Sequence, residues 1–121
     1  MNEIILVIGK VQFSINIDPS VFIFDERRFP LSDRIPGTEG LAMELGPILE
    51  RAEPSDEVTK VVCHRSSGKP VELTFQQAKE AYLCFAKDGK RIVEGGPALL
   101  YLADGSNKEQ PIDDLLKLEI T

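Results

Sequence analysis

Ile4 to Ile8 is an unbroken apolar run rich in β-branched side chains, and after Gly9-Lys10 the stretch Val11-Gln12-Phe13-Ser14-Ile15-Asn16-Ile17 alternates apolar with polar at a period of two. Successive side chains of a strand leave opposite faces, so this alternation predicts a strand with one wet face. Asp18-Pro19-Ser20 comes next as a turn signal, because proline fixes φ and short polar side chains bond nearby backbone. Val21-Phe22-Ile23-Phe24 then reads as a third short strand. From Asp25 to Gly40 the chain loses its period: Pro30, Pro36, Gly37 and Gly40 fall among Asp25, Glu26, Arg27, Arg28 and Asp33. That pattern predicts a long surface loop, a feature that in compact domains is often functional.

Leu41, Leu45, Ile48, Leu49 and Ala52 recur at helical spacing, but Gly46-Pro47 interrupts them. An interior proline removes one hydrogen bond and clashes with the preceding turn, so a broken helix is expected, its better half starting with Pro47 and ending before Pro54. Val58 to Cys63 and Pro70 to Leu73 read as a hairpin around Ser66-Ser67-Gly68-Lys69. Thr74 and Gln77 have capping-box spacing, and Phe75, Ala78, Ala81, Tyr82, Phe85 and Ala86 share one helical stripe. A helix over residues 75–86 is predicted, closed by Gly89 in a left-handed cap with Lys87 in its last turn. Arg91 to Glu94 reads as a short strand, Gly95-Gly96-Pro97 as punctuation, and Ala98 to Ala103 as a buried strand. Beyond the turn Asp104 to Asn107, a helical turn at Asp113 to Leu116 and a strand at Leu118 to Ile120 complete the pattern. The sum is one α+β domain over residues 1–121, built of short antiparallel or mixed sheets with two helices.

Composition narrows the function. With 121 residues, 42% hydrophobic and 28% charged, the chain is too apolar for disorder. A net charge of −6 repels phosphate backbones. The basic groups Arg27-Arg28 and Lys60, Arg65, Lys69 are short and flanked by Asp25, Glu26 and Glu57, so no nucleic-acid partner is expected. The apolar runs are far short of the ~18 residues of a membrane span, and Glu3 stands where a signal peptide needs positive charge. A cytoplasmic protein with no membrane partner is the expectation. Cys63 and Cys84 lack the spacing of a metal or redox pair and read as free thiols.

Residues with chemical potential are few. His64 is the sole histidine, beside Cys63 on a strand that would send the two side chains to opposite faces, Cys63 inward and His64 outward at the strand end. Ser66 would share the face of His64, although the turn accounts for it without chemistry. Gly95-Gly96 precedes a strand rather than the helix N-terminus a phosphate loop needs, and Asp25-Glu26 and Asp113-Asp114 are adjacent carboxylates that splay apart. Phe22, Phe24 and Phe29 surround Arg27-Arg28, the residue types enriched where partners dock, and Cys84 falls on the polar side of its helix as an exposed thiol. The candidate ligand-binding residues are Arg27, Arg28, His64 and Arg65; no catalytic set, metal set or cofactor is predicted. The partner would be a protein or small molecule, or a second copy pairing through the strand edge at Val21 to Phe24.

From Pro47 onward the order of signals also resembles a family. A Leu-rich turn at Ile48-Leu49 precedes the hairpin Val61 to Leu73 and the helix from Leu73 to Ala81. Gly95-Gly96-Pro97 then leads through Leu100 to a closing strand, Leu115 to Ile120. Over about the last 70 residues this resembles the distal part of the sulfite-oxidase-type molybdopterin-binding domain. That family places a molybdenum-ligating cysteine upstream of the Leu-rich turn, and this chain has no cysteine before Cys63, so the resemblance implies the fold without the cofactor. The amino-terminal half, with Asp18-Pro19-Ser20-Val21-Phe22-Ile23-Phe24-Asp25, looks like small uncharacterised bacterial proteins, some labelled peptidyl-prolyl isomerase. A binding or protein-interaction domain is the expected function. The alternative is an enzyme or cofactor-binding domain related to the molybdopterin-dependent oxidoreductases, or an isomerase.

Overall fold

A computed structural model describes residues 3–121. In chain order its elements are β1 (Ile5–Gly9), β2 (Ile15–Ile17), a 3-10 turn at Pro19–Phe24, β3 (Phe29–Pro30), a second 3-10 turn at Leu31–Asp33, β4 (Leu41–Glu44), α1 (Leu45–Glu50), β5 (Lys60–Arg65), β6 (Val71–Thr74), α2 (Phe75–Glu80), β7 (Tyr82–Lys87), β8 (Lys90–Arg91), β9 (Leu99–Tyr101) and β10 (Leu115–Ile120). The architecture is α+β, as the residue pattern predicts, with two small sheets. No helix of the described residues is long and apolar enough to cross a membrane.

The first sheet runs β2-β1-β10-β5-β6. It is mixed: β1 lies parallel to β10, and the other pairs are antiparallel. Register places Val7, Leu118, Cys63 and Val71 side by side across four strands, and the first three are fully buried. The second sheet is antiparallel in order β3-β4-β7-β8, with β9 also on β7: Cys84 has Ala42 on one side and Leu99 on the other. The main apolar cluster lies between the sheets, joining Ile5, Val61, Leu115 and Leu118 from the first to Met43, Leu83, Phe85 and Leu100 from the second. A smaller cluster of Leu31, Ile35, Ala42, Cys84, Leu99 and Tyr101 covers the far face of the second sheet.

This two-sided burial explains the largest departure from expectation. The helix begins where the Thr74–Gln77 capping box sets it, Thr74 Oγ1 accepting from Gln77 N at 3.0 Å and Gln77 Oε1 from Thr74 N at 2.9 Å. It ends at Glu80, and residues 82–87 are strand rather than helix. Leu83, Cys84, Phe85 and Ala86 are all buried, since β7 has a core on each face; an apolar run without alternation then continues the helical stripe by coincidence. Gly89 accordingly closes a hairpin, not a helix: Asp88 and Gly89 have φ of 53° and 72°, the left-handed pair that matches a two-residue turn to strand twist. Cys84, expected exposed, is fully buried.

Other boundaries shift for local reasons. Val21–Phe24 belongs to a 3-10 turn, not a strand: Asp18 Oδ1 accepts from Ser20 N at 3.1 Å and Pro19 occupies the first helical position. The strand edge expected to pair with a second copy is therefore absent there. Leu41–Glu44 is strand and only Leu45–Glu50 helix, with Pro47 inside the first turn, where no intrahelical donor is needed. Gly46 lets α1 approach α2 so closely that a Cβ there would stand 2.5 Å from the Lys79 carbonyl oxygen. The stretch 25–40 is no simple surface loop, because Leu31 and Ile35 are buried on the second sheet. Near the end, Asp114 adopts φ 54° and a bulge comes after it in β10, so Asp113–Leu116 forms no helical turn. The strand expected at Arg91 to Glu94 is only Lys90–Arg91.

Candidate functional site

Each of the four residues singled out from sequence is engaged by an immediate neighbour. Arg27 grips Asp25 with both ends of its guanidinium, Nε to Oδ1 at 3.0 Å and Nη2 to Oδ2 at 2.9 Å, and Arg28 Nη1 donates to the Asp25 carbonyl at 2.8 Å. The Arg27 bonds hold the Asp25 carboxyl down at about 2. His64 Nε2 lies 2.8 Å from Glu119 Oε1 across β5 and β10, half-buried rather than fully exposed. Arg65 donates from Nε to the Asp113 carbonyl at 2.9 Å, pairs with the Asp113 carboxylate, and reaches the Lys69 carbonyl at 3.4 Å. It thereby ties the β5–β6 turn to the approach to β10. Arg27 and Arg28 converge on one acid beside the second sheet, whereas His64 and Arg65 stand on the first with separate acids. Ser66 bonds to the Asp114 carbonyl, its N–H at 2.8 Å. Of the three phenylalanines expected around the arginines, Phe22 is in the core, Phe29 lies 4.3 Å beneath the Arg34 guanidinium, and Phe24 is 84% exposed.

A molybdenum centre of the kind the resembled family carries needs a thiolate, and the residues present do not fit one. Both thiols are fully buried, and burial pushes Cys63 up to about 12 and raises Cys84 as well. Among the described residues no three of His, Cys, Asp and Glu gather closely enough to hold an ion.

The feature sequence reasoning missed is a cavity of about 290 Å³ between the 3-10 turn Pro19–Phe24 and the β7–β8 hairpin. Phe85 and Ala86 reach it from β7, Pro19 and Ile23 from the turn, and Ile92, Val93 and Pro97 from the chain beyond β8. The turn is anchored there by the buried Phe22 ring, which meets Phe85 edge-on with centroids 5.5 Å apart. Charged groups enter from Glu3, Lys90 and Arg91. Arg91 Nη1 holds Glu3 Oε1 at 3.0 Å, while Lys90 makes no ion pair among the described residues. Of its lining, Ile23 and Val93 are 42% and 53% exposed, and Val21 and Phe24, elsewhere on the same 3-10 turn, are 54% and 84% exposed. Two sequence signals were present: Asp18-Pro19 as a helix start, and Asp88-Gly89 as a hairpin turn placing Lys90-Arg91 on its return.

The fold and this cavity define an α+β domain of two facing sheets with an apolar recess at one edge of the second. No protein-family model and no curated protein matches the sequence.

Proposed function

We propose that the chain is a binding domain and that the recess between the Pro19–Phe24 turn and the β7–β8 hairpin receives its ligand. The observation that carries this reading is that the recess is lined by Ile23 and Val93, large apolar side chains left exposed, and on one side by the 3-10 turn that also leaves Val21 and Phe24 in water. Exposed apolar surface is a standing cost that clusters where something docks, and small-ligand sites are concave, mostly apolar and edged by a few polar groups. At about 290 Å³ the recess suits a small ligand or one or two side chains of a partner. The test is a panel of apolar fragments titrated into ¹⁵N-labelled protein. The expected result is amide shifts gathered at Ser20, Ile23, Phe85, Gly89, Ile92 and Val93; fragments that shift none of these amides would overturn the reading.

A further inference from the structure

The charges at the recess narrow what it takes. It receives one carboxylate, Glu3, against two cations, Lys90 and Arg91. This local excess of positive charge sits on a chain whose net charge is −6. Arg91 already shows the relevant chemistry by holding the Glu3 carboxylate at 3.0 Å. That pair is exposed, its side chains 62% and 60% accessible, and exposed pairs are weak enough for a competing carboxylate to displace. Lys90 has no acid of its own among the described residues. A main-chain donor adds to these: Lys90 faces Lys87 at the hairpin end and Ile92 N donates to Phe85 O at 3.3 Å, so by the alternation of an antiparallel ladder the Arg91 N–H turns to the open edge of the sheet.

From these placements we infer that the ligand is an apolar monocarboxylate, its hydrocarbon body against Ile23, Phe85 and Val93 and its carboxylate taking the place of Glu3 on Arg91, with Lys90 adding positive charge to the lining. The inference rests on the recess being the binding site. A free aryl or alkyl acid and the carboxyl end of a peptide with an apolar last residue share this chemistry. In this arrangement Glu3 is a built-in competitor, filling the anion position until a ligand arrives.

Phenylbutyrate and its uncharged counterpart phenylbutanol are the probes, read by amide shifts at Gly89, Ile92 and Val93. The acid is expected to bind about tenfold tighter than the alcohol, an advantage that shrinks as salt is raised. Glu3→Gln, which removes the competitor, is expected to tighten the acid more than the alcohol; Lys90→Glu is expected to weaken the acid more than the alcohol. Both positions are exposed, and unchanged amide positions elsewhere show that the variants fold. Acetyl-Gly-Gly-Phe with a free or amidated end separates the two sources: a tight free-ended peptide assigns a chain terminus, and phenylbutyrate binding with no response to the peptide assigns a free acid. If the alcohol matches the acid, or Glu3→Gln weakens the acid, the carboxylate assignment is overturned while the recess stands as a binding site. If no apolar fragment shifts these amides, both readings fall.

Discussion

Burial decides the chemistry of the two cysteines. Each is fully enclosed, and removing the thiolate from water raises Cys63 to about 12 and Cys84 in the same direction. The folded chain therefore keeps its thiol protons above the ordinary value of 9.0, where the unfolded chain releases them. Between pH 9.0 and about 12 the unfolded state binds fewer protons, so stability is full below 9.0 and falls as pH rises through that window. Native protein at pH 8 is expected to resist iodoacetamide at both positions and to gain two adducts by mass once denatured; a fast native adduct at either would contradict the burial. At Gly46 two effects oppose each other. Alanine gains up to about 1 kcal/mol of helix propensity, but its Cβ would lie 2.5 Å from the Lys79 carbonyl oxygen, and main chain cannot swing aside as a side-chain tip can. Overpacking costs about 1–3 kcal/mol, so the clash wins and Gly46→Ala is expected to lower the urea midpoint.

At the scale of elements, the capping box at Thr74 and the hairpin β5–β6 were legible because their signals are local: a hydroxyl and an amide three residues apart, and a Ser-Ser-Gly-Lys turn between apolar runs. The segment beyond Ala81 was not, because the strand character of Tyr82–Lys87 comes from the two layers that enclose it, and nothing within the segment announces them. The stretch 25–40 failed for the same reason, since Leu31 and Ile35 look incidental among charges until the second sheet is beneath them. Two substitutions separate local from tertiary signals. Thr74→Ala removes the cap and is expected to cost ~1 kcal/mol. Leu31→Ala, in a segment that reads as loop, is expected to cost more, about 2–5 kcal/mol, because Leu31 is fully buried. A Leu31→Ala chain as stable as wild type in urea would return that segment to the surface.

The candidate site was the least legible part at the scale of the whole molecule. Pro19 and Ile23 lie more than sixty residues from Phe85 to Val93 in the sequence, and the packing of the Phe22 ring on Phe85 holds the two segments together. The recess thus depends on how firmly the two sheets hold one another, and the molecule carries a built-in reporter of that. It has no tryptophan, and its two tyrosines, Tyr82 and Tyr101, both stand on the second sheet. Leu118 stands fully buried in β10, the centre of the first, inside the cluster that joins the sheets. If that cluster makes the sheets one cooperative unit, damage to the first must be felt by the tyrosines of the second. Leu118→Ala is expected to cost about 2–5 kcal/mol and to lower the melting temperature seen in the near-ultraviolet tyrosine signal by on the order of 10 °C. The far-ultraviolet signal of the backbone should fall with the same midpoint. A tyrosine transition that stays at the wild-type temperature while the backbone transition drops would mean that the sheets unfold separately, and the recess would then belong to the second sheet and its turn alone.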